Sequence, residues 1–377
     1  MSDDKLTGTS RRKFLSAAGL GAVAAVATPT IVKAQGPITM RFQSTWPAKD
    51  IFHEFAVDYA TKVNDMTGGD LAIEVLPAGA VVPAFGLLDA VSEGTLDGGH
   101  GVIVYHYGKQ QALALWGSGP ALGMDASMVL SWHKYGGGRE LLAKLYASIG
   151  ANVMSFPYGP MPTQPLGWFQ KPIATVEDLN GLRFRTVGFS IDVFTKMGVA
   201  VNALPGGEII AAMDRGLLDA AEFNNASSDQ MLGFADVSKI CMLQSFHQNA
   251  EQFEIMFNKD RYDALPEQLK AIVSLATEAA SQDMHWKAID RYSTAYEELQ
   301  AKGVAFYKTP DEILQRQLDV YDEVAKASAE NNSLFREILD SQIAFARRVT
   351  RWEQDTVVNR RMAVDHYFGE KAAADTL

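Results

Sequence analysis

The stretch TQPLGWFQKPIATVEDLNGLRFRTVGFS, residues 163–190, decides the fold when read with its continuation LPGGEIIAAMDRGLLDAAEFNNASSD, residues 204–229. Three strand-like runs, 164–169, 182–186 and 220–224, alternate with two amphipathic helical runs, a pattern of α/β architecture with parallel strands. Each strand carries a polar side chain where an apolar one belongs: Gln164, Arg185 and Glu222. A parallel strand buried on both faces is nearly all apolar, so these groups need a reason. Arginine offers a planar fork matched to a carboxylate. Glutamine and glutamate offer hard oxygens suited to a cation. Together they point to a small carboxylate held beside a metal ion.

Upstream, residues 38–46 (ITMRFQSTW), 71–76 and 98–104 read as strands, with helices over 51–66 and 83–94 between them. Ligands in open α/β sheets lie beyond the carboxyl ends of strands. Tyr105 sits at such an end, where its hydroxyl either binds a ligand carboxylate or covers the core edge. His106 beside it lacks a His or Cys partner at ligand spacing and reads as structural. Two short helices break at Gly136-Gly137-Gly138, which no Lys-Ser/Thr pair follows, so this is no phosphate loop. The Pro-rich run 156–162 is a crossover into a second lobe, and an alternating strand over 252–258 returns to the first. Paired crossovers make a hinge, and two lobes on a hinge make a cleft. The expected organisation is a leader over 1–34, one lobe over 35–160 with a return segment at about 250–308, a second over 161–249, and a helical region over 309–377. Its last helix, 334–368, is long enough to lie across both lobes or on a second subunit.

Within the second lobe Arg183 and Arg185 share a strand face, and Arg185, at the carboxyl end, is the better ligand. Gly206-Gly207 opens a helix with no basic residue beside it and reads as an ordinary turn.

The first residues form a charged run, SRRKFL at 10–15, then a short apolar run at 16–26 and a Val32-Lys33-Ala34 stop. These are the parts of an export signal, and the adjacent Arg11 and Arg12 point to the twin-arginine route. Cleavage after Ala34 leaves a mature chain of 343 residues carrying net charge −14, against −11 for the whole. So acidic a chain argues against nucleic acid and anionic lipid as partners. Any anion must be held by a local site. Cys241 is the single cysteine, so no internal disulfide forms.

With these residues in view, the chain resembles the extracytoplasmic solute receptors of TRAP (tripartite ATP-independent periplasmic) transporters. The resemblance is carried by FQSTWP at 42–47, the run at 78–100, WHKYGGGRELLAKLY at 132–146, the two quoted stretches and the helical tail. It is closest to the branch that binds 2-oxo or 2-hydroxy monocarboxylates with a metal ion. The resemblance implies a two-lobed α/β periplasmic-binding-protein clamshell that captures an organic acid and delivers it to membrane permease subunits. On that pattern Arg185 pairs with the substrate carboxylate. Gln164, Glu222 and the backbone carbonyl of Phe223 hold sodium or calcium, which bridges to the substrate. The branch also exchanges its long terminal helix within homodimers. Three departures stand out. Phe223 replaces a tryptophan, Asn224-Asn225-Ala226-Ser227 replaces Val-Gly-Pro-Tyr, and Phe246-His247-Gln248-Asn249 replaces a Trp-His-Glu-Pro-like run. Asn224 and Asn225 thus bring amides to a more polar or larger acid. Gln248 removes a negative charge, which favours sodium over calcium or removes the metal.

Two other readings remain at this point. A secreted lyase or hydrolase would use Glu222 as its base, with Arg185 holding the substrate; the chain has no GxSxG, HExxH or CxxC to support it. A ligand-sensing partner of a receptor kinase would have the same pocket.

Overall fold

The computed structural model describes residues 36–161 and 163–374. The expected leader and its twin arginines lie outside them. Among the described residues eleven strands form two sheets: β1 (Ile38–Ser44), β2 (Leu71–Leu76), β3 (Gly98–Val102), β4 (Val153–Tyr158), β5 (Gly167–Phe169), β6 (Arg183–Arg185), β7 (Ala200–Asn202), β8 (Ala220–Ala221), β9 (Ile240–Leu243), β10 (Phe253–Asn258) and β11 (Ala305–Lys308). The first sheet has the order β2-β1-β3-β10-β4 and the second β11-β9-β5-β8-β6-β7.

The first helix, Ile51–Met66, starts where Asp50 caps the Phe52 N–H at 3.0 Å. Phe52, Phe55, Tyr59 and Val63 recur at helical spacing and are all buried. The glycine-rich β3 is explained by packing. It lies between β1 and β10, and a Cβ at Gly98 would stand 2.2 Å from the Phe42 ring. The expected helix over 83–94 is a 3-10 turn and a short helix, Leu87–Ser92, and β3 ends at Val102 in a second 3-10 turn that carries Tyr105.

Four expectations are corrected. The strand at 164–169 shortens to β5, leaving Gln164 before it, and β5 runs antiparallel to both β8 and β9. It enters from the first sheet without a helical crossover, so it meets its neighbours head to tail. The run at 220–224 shortens to β8, which leaves Glu222 just beyond the strand. The return segment expected to end near 308 gives its last strand to the other sheet, because β11 pairs in parallel with β9. The last helix is not continuous: Ser333–Thr356 stops, Val357 is extended (φ −80°, ψ 124°), and Arg360–Ala374 follows. Phe335, Ile338, Gln342 and Phe345 bury one face of Ser333–Thr356, whereas Met362, Tyr367 and Phe368 are exposed.

Two crossovers join the sheets side by side. The Met161 N–H donates to the Glu251 carbonyl at 3.2 Å, and the Gln164 N–H to the Gln248 carbonyl at 3.4 Å. A third connection is the helix Glu267–Ala301, tied to the first helix by Lys62–Asp283 at 2.5 Å and Lys287–Glu54 at 2.9 Å. Among the described residues no helix is long and apolar enough to cross a membrane.

Candidate functional site

β6 and β8 pair in parallel with Arg185 opposite Ala221, so the last side chain of β6 meets the first one beyond β8. Arg185 is 1% exposed and Glu222 is fully buried. The guanidinium donates through Nε to the Leu204 carbonyl at 2.8 Å, and through Nη1 to the Glu222 carbonyl at 3.1 Å and to Glu222 Oε1 at 2.8 Å. Its Nη2 has no partner among the described residues. The guanidinium carbon lies 5.8 Å from the centre of the Phe223 ring, which supports its plane. Gly206 lets the next helix approach that ring: a Cβ there would stand 2.4 Å from it. Gly206 is therefore a packing residue that opens the helix Gly206–Asp214, where an ordinary turn was expected.

The crossovers supply the opposing groups. Gln164 donates through Nε2 to Glu251 Oε2 at 2.5 Å. Gln164 Oε1, Glu222 Oε2 and Glu251 Oε1 are buried without donors. Among the described residues no N–H donates to the Phe223 carbonyl. An unpaired buried polar group costs about 1–3 kcal/mol, so several in one place imply an absent partner. A hard cation answers the oxygens, and an anion answers Arg185 Nη2. The residues present therefore fit both groups.

Gln164, Arg185 and Glu251 line a cavity of only about 10 Å³, which Glu222 borders through Arg185 without lining it; Glu222 Oε2 lies 4.0 Å from His247 Nε2. Trp46, Val102 and Tyr105 line it from one side, Arg185, Val187, Phe223 and Asn224 from the other, and Gln164, Gln248 and Glu251 from the crossovers. Ligand pockets span about 300–1,000 Å³, so the site as it stands has closed to about the room of one water, and an acid enters only as its walls move apart. Burial, followed by the charge of Glu222, pushes Glu251 up to about 8, opposed by Arg185 and the Gln164 hydrogen bond. Burial also pushes Tyr105 up to about 12, with Arg185 pulling it back.

The structure thus brings together Arg185, Gln164, Glu222, Tyr105, Phe223 and Asn224. The Asn224 side chain donates through Nδ2 to Met161 Sδ at 3.3 Å and accepts from Asn225 at 2.8 Å. Asn225 itself caps the helix Ala226–Leu232 through the Ser228 N–H at 2.9 Å, so its role is structural. Arg183 is exposed and bound to Asp219, with Nε 3.0 Å from the carboxylate. His106 lies 3.5 Å from Glu254, outside the cavity lining. Glu251 was not foreseen. It stands just ahead of the alternating run at 252–258, and only the pairing of the two crossovers delivers it. The expected loss of acidity at Gln248 is thereby offset: Gln248 reaches the Val187 carbonyl at 3.4 Å, while Glu251 restores a carboxylate.

The model of the family described as bacterial extracellular solute-binding protein, family 7, matches residues 42–332. The chain is similar to the monocarboxylate 2-oxoacid-binding periplasmic protein of Nostoc sp. (strain PCC 7120), with 31% identity over 317 residues, 84% of this chain and 86% of that one. It is also similar to a TRAP transporter solute-binding protein of Bordetella bronchiseptica, solved as a mixed-occupancy dimer with copurified calcium and picolinate. That likeness has a TM-score of 0.83 at 27% identity and covers 90% of this chain and 99% of that one. A third is a TRAP periplasmic solute-binding protein of Pseudoalteromonas atlantica with bound sodium and pyruvate, at TM-score 0.80 and 29% identity, covering 85% and 97%. These are transport proteins, and the reading of Glu222 as the base of a lyase or hydrolase falls with them. The chain belongs to family 7 of the bacterial extracellular solute-binding proteins, the periplasmic receptors of TRAP transporters, and has their two-sheet α/β fold with a long helix near its C-terminus.

Proposed function

We propose that this receptor captures a small 2-oxo or 2-hydroxy monocarboxylate together with a sodium or calcium ion and delivers it to the TRAP membrane permease. The observation that carries the reading is the unpaired Arg185 Nη2 in one small cavity with the unpaired oxygens of Gln164 and Glu251, beside the buried Glu222 carboxylate that Arg185 holds at 2.8 Å. Arg185 binds the acid's carboxylate, and Asn224 and Tyr105 contact its far side. Gln164, Glu222 and the Phe223 carbonyl hold the cation, which when bound supplies positive charge to the carboxylate and the 2-oxo or 2-hydroxy oxygen. The Nostoc binder of monocarboxylate 2-oxoacids and the Pseudoalteromonas protein with pyruvate and sodium support this ligand class, and the Bordetella protein supports calcium beside a small monocarboxylate, picolinate.

The two sheets act as lobes that open about the paired crossovers to admit the acid. Twin-arginine export is inferred from Arg11 and Arg12. A homodimer is inferred through the exposed Met362, Tyr367 and Phe368 of the last helix, consistent with the Bordetella dimer. The test is thermal melting of the mature protein against small organic acids, with and without each cation. A ligand at 100 times its Kd stabilises by about 2.7 kcal/mol, a shift of a few degrees at this size. Cation-dependent shifts with 2-oxo or 2-hydroxy acids support the reading, and no shift with any of them overturns it.

A further inference from the structure

We infer that Glu251 is a further oxygen donor of the cation site and makes that site selective for calcium over sodium. The inference rests on the receptor reading above.

Three observations carry it. First, the Glu251 side chain is buried and lines the cavity, and its Oε1 has no donor among the described residues, as is true of Gln164 Oε1 in the same lining. Second, its other oxygen accepts from Gln164 Nε2 at 2.5 Å. That bond fixes the Gln164 amide with its nitrogen toward Glu251, so its Oε1 is left for a cation. Third, the position is built by the surrounding chain. The Glu251 carbonyl accepts from the Met161 N–H at 3.2 Å, and Gly117 makes room for the side chain. A Cβ at Gly117 would stand 2.7 Å from Glu251 Cγ.

The charges then favour a divalent ion. A cation bound by Glu251 displaces its proton, and with both carboxylates then ionised Glu222 and Glu251 outweigh Arg185 by one negative charge, to which a bound monocarboxylate adds another. Calcium brings the closed site to neutrality, whereas sodium leaves a buried negative charge that is costly in a dry cavity. Donor number agrees. Side-chain oxygens of Gln164, Glu222 and Glu251, the Phe223 carbonyl and two oxygens of a 2-oxo acid make roughly six, the lower end of the range calcium takes. Gln248, which stands where a related chain would have an acid, does not undo this preference, because the charge has moved to residue 251.

The experiment is isothermal titration of metal-stripped protein with calcium chloride or with sodium chloride at matched ionic strength, each repeated with pyruvate present. Wild type is expected to bind calcium at least ~10-fold more tightly than sodium, because ligand charge count sets calcium affinity. Glu251→Gln is expected to lose that preference while still binding pyruvate with sodium. Gly117→Ala, which displaces Glu251 without removing its charge, is expected to weaken calcium in the same direction. Equal affinities for the two cations in wild type overturn the inference, as does an undiminished calcium preference in Glu251→Gln. A loss of both cations equally in Glu251→Gln reduces Glu251 to positioning Gln164 and also overturns it. If a variant fails to fold by circular dichroism, the wild-type comparison decides. Pyruvate binding that requires no cation refutes the cation site and this inference, while absence of acid binding under every condition refutes the receptor reading itself.

Discussion

Arg185 Nη1 lies 2.8 Å from Glu222 Oε1, and both side chains are buried at the end of adjoining parallel strands. The pair leaves the guanidinium Nη2 without a partner in the cavity lining, while Glu222 Oε2 lies 4.0 Å from His247 Nε2. On the proposed reading Nη2 is the anion pole of the site and the Glu222 carboxylate belongs to its cation pole.

Removing the anion pole has a calculable effect. Arg185→Ala strands a buried Glu222 and takes the partner from the acid's carboxylate, so affinity falls by ~100-fold or more. Arg185→Lys does not restore it, since a point charge replaces a fork that serves Leu204, Glu222 and the ligand at once. Titration calorimetry checks both.

Arg183, two residues earlier, is the control. Its guanidinium is spent on Asp219 and the Gly216 carbonyl at an exposed edge. Surface pairs contribute about 0–1 kcal/mol, so Arg183→Ala leaves acid affinity unchanged and barely moves the melting temperature. A large loss of affinity would move the site to the other end of β6.

Asp229 is pushed up to about 7, chiefly by burial, while accepting from Trp168 Nε1 at 2.7 Å. The folded chain thus holds this proton more tightly than the unfolded chain. The stability contributed is full below the ordinary value of 3.8 and is lost as pH rises through about 7. Buried His133, lowered to about 3, acts in the opposite sense, so the overall profile is mixed. The comparison with Asp229→Asn isolates the group. The melting temperature of wild type minus that of the variant should fall between pH 4 and pH 7, and a constant difference would contradict the assignment.

The two terminal helices separate stability from association. Ile338 is fully buried on Ser333–Thr356, so Ile338→Ala costs about 2–5 kcal/mol by chemical denaturation. Tyr367 is 75% exposed, and Tyr367→Ala changes monomer stability by no more than about 0.5 kcal/mol. If the last helix forms a dimer, the same change lowers the dimer fraction in sedimentation. No change there would place the dimer contact elsewhere.

Arg185 and Glu222 were legible because a charged residue inside an apolar strand demands an explanation; RFR offers two, Arg183 and Arg185, and AAEF one. Gln164 was legible for the same reason, although it sits before its strand. Glu251 was not, because it stands just ahead of the alternating run at 252–258 and its placement depends on residues about 90 positions away across the paired crossovers. The direction of β5 and the sheet chosen by β11 are likewise tertiary outcomes. Periodicity specifies which face of a strand is apolar, not which neighbour it takes. The break at Val357 was hidden because apolar spacing continues through it. An extended Val357 interrupts the backbone without changing the hydrophobic pattern.

The most direct test of the account is calorimetric titration of metal-stripped mature protein with pyruvate, run in parallel with and without calcium and with sodium. The account predicts saturable one-to-one binding that strengthens when calcium is present and is lost in Arg185→Ala. Absence of binding to pyruvate or any other 2-oxo or 2-hydroxy acid, with either cation, would contradict it.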